Sequence, residues 1–161
     1  YLLTNNLITK QQHGFLAKHS TYSQLIECIN DWSIELNCRN AVDVAYINFR
    51  KAFDSMVHSK LCYKLKSYGV NGKMLQWITD FLSNRIQAVK VDNSMSDYAP
   101  VISGVPQVSV LGPVLFLLCI NDIVDLFGDG LTVKMFAYDV KIYAVINSIS
   151  DANILQKNRR F

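Results

Sequence analysis

The 161-residue sequence has no CxxC pair, no dense run of lysine or arginine, no apolar stretch long enough to cross a bilayer, and no internal repeat or low-complexity segment. Its four cysteines, Cys28, Cys38, Cys62 and Cys119, lie far apart. That spacing excludes paired zinc chelation and the dense disulfide framework of a small secreted domain, and it points to a reducing, intracellular setting, nuclear or cytoplasmic. The longest apolar stretch, Val108 to Ile120, is about 13 residues with Gly112 and Pro113 inside it, short of the ~20 that a membrane helix needs. It reads as a core helix, and no membrane partner is expected. His13, His19 and His58 lack the helical spacing of metal ligands, which argues against a zinc site. The chain starts at Tyr1 without the basic start and small-residue cleavage site of a signal peptide, and it stops inside the polar segment Gln156 to Phe161, so it reads as a piece of something longer. The 16 Lys+Arg against 13 Asp+Glu, a net charge of +3, permit a polyanionic partner but mark no patch for one.

What is present is the composition of a chain with one ordinary core: 50% hydrophobic and 18% charged. Ser20-Thr21 predicts a helix cap, and Leu25, Ile29, Trp32 and Leu36 follow at steps of four, three and four, a face expected to pack inward until Asn37 to Asn40 ends the helix. Val42 to Phe49 is β-branched and aromatic, which predicts a mostly buried strand with the polar Asn48 near its end. From Ser59 to Tyr68 runs a stripe of Leu61, Leu65 and Tyr68, and Gly69 is placed to end that helix in the left-handed conformation. A helix from Gly72 to Leu82 follows, with Leu75, Ile78 and Leu82 on one face and Trp77 and Phe81 beside it. Ile86 to Val91 and Ser96 to Val101 read as hairpin arms around an Asp92-Asn93-Ser94 turn. The apolar run from Val108 predicts the third long helix, and Leu131 to Ile146 a hairpin joined at Ala137-Tyr138-Asp139, with an acid at its tip. Helices mixed with hairpins, instead of alternating βα units, predict an α+β fold, here a single domain over 1–161.

Five segments in order carry a resemblance: QHGF (Gln12 to Phe15), YINFRKAFD (Tyr46 to Asp54), SGVPQVSVLGP (Ser103 to Pro113), FLLCIND (Phe116 to Asp122) and FAYD (Phe136 to Asp139). With connecting stretches such as HSKLCYKLKSYGV, the chain resembles the reverse transcriptase of non-LTR, LINE-type retrotransposons of the jockey and CR1 kind. The resemblance covers nearly the whole chain. It implies an RNA-directed DNA polymerase with a right-hand fold: an antiparallel palm sheet with packed helices, part of the fingers, and no thumb within these residues. It also implies an RNA template, a DNA primer and deoxynucleoside triphosphates as partners, and two Mg²⁺ ions held by three aspartates. The chemistry explains the number of carboxylates, because hard Mg²⁺ takes oxygen ligands and two neighbouring cations need anionic charge between them.

Matched position by position, two of those three carboxylates are replaced. The first aspartate of the (L/I)DFxKAFD pattern falls on Asn48, and the FADD tip falls on Phe136-Ala137-Tyr138-Asp139, leaving Asp139 as the one catalytic and metal-binding acid. Asn48 offers a neutral amide oxygen and Tyr138 a phenol. The PQGS turn reads Pro106-Gln107-Val108-Ser109, with a β-branched residue where glycine permits close approach or unusual dihedrals. The arginine of HGFRxxxST is Leu16, for which Lys18 stands in as a point charge without bidentate geometry. Phe53, five residues after Asn48, matches the aromatic gate against the ribose 2′-hydroxyl, Gln107 the support of the template–nucleotide pair, and Lys141 the basic position past the tip. The implied reading is a retrotransposon polymerase fragment unable to polymerise, with Mg²⁺ weak or absent. The alternatives are a non-catalytic module binding RNA, DNA or a protein partner, and residual catalysis with unusual ligands.

Each of these residues also has a plainer reading. Asp54 before a helix is a cap or turn former, Phe53 a core aromatic, and Asp139 a turn acid. Lys18, Arg50 and Lys51 read equally as a solvated face or a phosphate site.

Overall fold

In a computed structural model that describes residues 1–157, the chain runs α1 (Thr21–Asn37), β1 (Ala41–Asn48), α2 (His58–Ser67), α3 (Gly72–Leu82), β2 (Ile86–Gln87), β3 (Lys90–Val91), β4 (Ser94–Met95), β5 (Ala99–Pro100), α4 (Leu111–Ile120), a 3-10 turn (Asn121–Leu126), β6 (Thr132–Phe136), β7 (Asp139–Ile146) and α5 (Ile149–Lys157). The last residues of the polar segment that begins at Gln156, positions 158–161, lie outside the described residues. Contacts divide the chain into two compact units, one formed by residues 1–50 with the chain from 120 onward and the other by residues 51–119. Among the described residues no helix is long and apolar enough to cross a membrane.

The first unit is built on an antiparallel sheet ordered β1-β7-β6. Side chains alternate across a strand, so the pairing sorts residues onto two faces. One face is apolar: Ala45, Val133, Met135, Val140 and Ile142 are buried in a single cluster with Phe127, lined by Ile47, Phe49, Ile120, Ile123, Val124 and Leu131. The other face carries Lys134, Lys141 and Tyr143, and α1 supplies their partners. Lys141 Nζ donates to Gln24 Oε1 at 2.8 Å, Lys134 Nζ meets Glu27 Oε2 at 2.5 Å, and the Tyr143 hydroxyl donates to Asp31.

Two sequence expectations are corrected here. Ser20 does cap α1, in a box with Ser23, but the side turned inward is Gln24 and Cys28, whereas Leu25, Ile29 and Leu36 are exposed. The helix lies on a polar sheet face, and burying the heads of Lys141 and Tyr143 without partners costs more than exposing three aliphatic side chains. β1 is not mostly buried. It is an edge strand in which Ala45 is the one fully buried residue and Tyr46 is exposed.

In the second unit, α2 buries Leu61 and Leu65, and α3 spans the expected residues and buries Ile78 and Leu82. Gly69 follows α2 at φ +81, with its amide on Lys66 O and the Val70 amide on Leu65 O. These are the paired bonds of a left-handed helix terminus. The hairpin forms as two short rungs, β2 with β5 and β3 with β4, around a turn in which Asp92 has φ +50.

The third long helix starts later than the apolar run suggests, at Leu111, with Val108 and Val110 exposed. Ser109 breaks the run: its hydroxyl donates to Pro106 O at 2.6 Å and accepts the Gly112 amide at 2.9 Å, satisfying an orphan donor of the helix start. Val108 between them sits at φ +57 and is fully exposed, so it bears the steric cost of left-handed backbone with no compensating burial. Val108→Gly should therefore raise the unfolding free energy by about 1 kcal/mol, the backbone relief exceeding glycine's entropy cost. The urea midpoint at unchanged slope measures this; an unchanged or lower midpoint would count against strain at this turn.

Candidate active site

β1 and β7 pair residue by residue, and the last pair places Asn48 opposite Asp139. In the adjacent ladder Asp139 is also paired with Phe136, so the start of β7 is held from both edges. Asn48 Nδ2 donates to Asp139 Oδ1 at 2.6 Å, a charge-assisted bond across strands distant in sequence. Both residues line a cavity of about 330 Å³ with Thr21, Gln24, Tyr46 and Lys141. The sequence placement of positions 48 and 139 at a common point thus agrees with the fold. Tyr138 stands at the hairpin apex, partly exposed, next to Ala137 at φ +52.

The donor set here does not fit a two-ion centre. One carboxylate oxygen is engaged by an amide N–H, and turning the amide to present its oxygen would set two oxygens against each other with a single negative charge between them. Among the described residues no group of three His, Cys, Asp or Glu side chains is arranged to hold a metal ion.

The remaining expected site residues fall into two sets. In the first unit, Lys141 lines the same cavity, its ammonium on Gln24. Lys18 is exposed, with backbone φ +66, and is not among the residues lining that cavity. In the second unit, Phe53 stacks on Phe116 with centroids 4.5 Å apart and planes 11° from parallel, a core-type contact. Gln107 Nε2 donates to Asp54 Oδ1 at 2.8 Å. Asp54 lies in a turn whose amide bonds Lys51 O, and it does not cap α2, whose cap position is Val57.

Sequence reasoning gave no role to two residues that touch the hairpin tip. Gln12 is buried beside it, and its Oε1 accepts the amides of Gly14 at 2.7 Å and Ala137 at 2.8 Å. Gly14 lies so close that a Cβ there would sit 2.3 Å from Ala137 N. The signal was the QHGF segment itself, a buried amide two residues before a glycine.

His13 is buried next to them. Its Nδ1 is hydrogen-bonded with Ser23 Oγ at 3.1 Å and its Nε2 lies 3.5 Å from Glu27 Oε2. Burial lowers its pKa from the ordinary value, and Glu27 opposes this only in part. The hydrogen bond from Lys134 in turn holds the Glu27 carboxyl below its usual range. Tyr143, desolvated and donating to Asp31, has its pKa raised and keeps its proton.

These elements define a polymerase-type palm: an antiparallel sheet whose central hairpin presents an acid opposite the end of the neighbouring strand. The chain belongs to the reverse transcriptase (RNA-dependent DNA polymerase) family, matching it over residues 1–158. It is 33% identical over 115 residues to the RNA-directed DNA polymerase from mobile element jockey of Drosophila melanogaster, a match covering 71% of this chain and 12% of that protein. Similarity also extends to a probable RNA-directed DNA polymerase from transposon X-element of the same species, 30% over 135 residues, covering 81% of this chain and 15% of the relative. The chain thus spans about an eighth of the length of the jockey protein. Among solved structures, telomerase from Candida albicans in complex with a TWJ fragment of telomeric RNA superimposes with a TM-score of 0.66 over 88% of this chain and 28% of that one, at 13% identity, a likeness of fold. The expectations of an α+β palm and of a jockey-like reverse transcriptase are met.

The His13 environment carries a pH dependence. Its folded pKa lies below the unfolded value near 6.5, so the unfolded chain binds the extra proton first. The stability contributed by neutral His13 is complete above pH 6.5 and is lost as the pH falls through the folded pKa. Urea unfolding between pH 7 and 5 should show a falling free energy, and His13→Gln should flatten that slope; an equal slope in both proteins would contradict it.

Proposed function

We propose that this chain is the palm of a jockey-like RNA-directed DNA polymerase in which a hydrogen-bonded amide and carboxylate occupy the place of the metal-binding acids, so that the scaffold is kept and nucleotidyl transfer is lost. The observation that carries this reading is the 2.6 Å bond from Asn48 Nδ2 to Asp139 Oδ1. On this reading Asp139 is the surviving ligand, Asn48 and Tyr138 stand where two carboxylates would, and Mg²⁺ binds weakly or not at all. Template RNA, primer DNA and deoxynucleoside triphosphates are the ligands of the ancestral site, with Phe53, Gln107, Val108, Lys18 and Lys141 at its nucleotide positions, in an intracellular setting. A valine held at φ +57 in the PQVS turn, its side chain projecting into solvent, supports the same direction. So does the engagement of Lys141 by Gln24, whose amide oxygen takes up one of the ammonium's donors.

The magnitude of metal catalysis supports inactivity. Metal ions supply several kcal/mol of transition-state stabilisation, and each 1.36 kcal/mol is about tenfold in rate. Losing about 4 kcal/mol already removes about 10³ in rate. With Mg²⁺ or Mn²⁺, a template-primer assay should give no extension above a no-enzyme control, and incorporation that Asp139→Ala abolishes would overturn the reading. Asn48→Asp together with Tyr138→Asp should bind Mn²⁺ about tenfold tighter or more, since three carboxylates replace one. Calorimetric titration showing no gain would mean that positions 48, 138 and 139 do not share a metal site.

A further inference from the structure

We propose that Gln12 is a positioning residue for the hairpin that carries Asp139, acting as a two-pronged clamp on the peptide of Ala137. Its Oε1 accepts the Ala137 amide at 2.8 Å and its Nε2 donates to the Ala137 carbonyl at 3.4 Å, so one side chain holds both polar groups of one residue. A planar carboxamide is suited to this, because it presents a donor and an acceptor side by side. The residue it grips is the one that needs holding: Ala137 has φ +52, left-handed backbone that an L residue rarely adopts. Two residues later the chain enters β7 at Asp139, opposite Asn48.

The clamp is itself held on three sides. Gln12 is 1% exposed, and its Oε1 also accepts the Gly14 amide at 2.7 Å, which fixes the plane of the carboxamide. Its backbone lies in a parallel bridge with Met135, where the His13 amide bonds Met135 O and the Met135 amide bonds Gln11 O, both at 2.8 Å. Upstream, Asn121 accepts the Thr9 amide at 2.7 Å and donates to Leu7 O at 2.8 Å, tying the segment to the body of the unit. Gly14 completes the fit, since any side chain there would strike Ala137 N. The segment before α1 thus works as a strap across the end of the hairpin, setting where the Asp139 carboxylate stands.

As a statement about the site, this rests on reading the 48–139 pair as the remnant of an active centre; its test does not. Residue-resolved amide hydrogen exchange compares the parent chain with Gln12→Met, which keeps the volume and loses both prongs, and Gln12→Glu, which keeps the acceptor. The amides of Ala137 and Gly14 should exchange at least about tenfold faster in Gln12→Met, the scale of one lost buried hydrogen bond, while amides of Ile142 to Val145 change far less. Gln12→Glu should recover most of the protection, and the Asn48 side-chain amide protons should lose their Asp139-bonded signature in Gln12→Met alone. Gly14→Ala should release the same two amides with Gln12 intact. Unchanged exchange at Ala137, a uniform rise through β7, or Gln12→Glu behaving as Gln12→Met would each overturn the clamp. Primer extension by the parent would overturn the proposed function and leave these rates as they are.

Discussion

The register of β7 between β1 and β6 is the constraint on which the rest of the first unit depends. β7 is bonded along both edges, and its first residue, Asp139, is paired simultaneously with Asn48 and Phe136. Because the side-chain period of a strand is two, a slip of one residue would exchange the faces of the whole strand. Val140 and Ile142 would leave the apolar cluster for the polar side, and Lys141 and Tyr143 would enter it. The face of the sheet from which the Asp139 carboxylate projects is therefore set by hydrophobic burial of Val140 and Ile142 on the opposite face.

The second face of the sheet shows how polar groups orient a helix. Lys134, Lys141 and Tyr143 project from it, and α1 meets them with Glu27, Gln24 and Asp31. The helix thereby leaves Leu25, Ile29 and Leu36 exposed, a cost set against the larger cost of unpartnered buried heads. His13 joins this layer to the strap before α1, which is why its burial registers as a lowered pKa.

The Asn48–Asp139 bond sits at the exposed end of the polar face, away from the apolar cluster. That separation makes the stability of the sheet independent of what stands at positions 48 and 139. The core draws its stability from burial that no metal supplies, and an amide facing a lone carboxylate satisfies it with a charge-assisted bond where a second carboxylate would repel. On the proposed reading, the substitution at position 48 relaxes the fold locally in the step that removes the chemistry.

Local signals in the sequence determined much of this. Ser20 as a cap, Gly69 as a left-handed terminus, the span of α3 and the two hairpins follow from residue chemistry within a few positions, and the ordered motifs carried the family. So did the facing of positions 48 and 139, which came with the resemblance. The tertiary structure decided what depends on distant partners. Which side of α1 turns inward was set by Lys141 and Tyr143, more than a hundred residues away in the chain. The late start of α4, by contrast, is a local effect that the apolar run concealed: the Ser109 hydroxyl bonds Pro106 and Gly112, each three residues away. The grip of Gln12 on Ala137 joins residues separated by 125 positions. Periodicity reports which residues share a face; what that face meets is decided by the pairing of groups brought together only on folding.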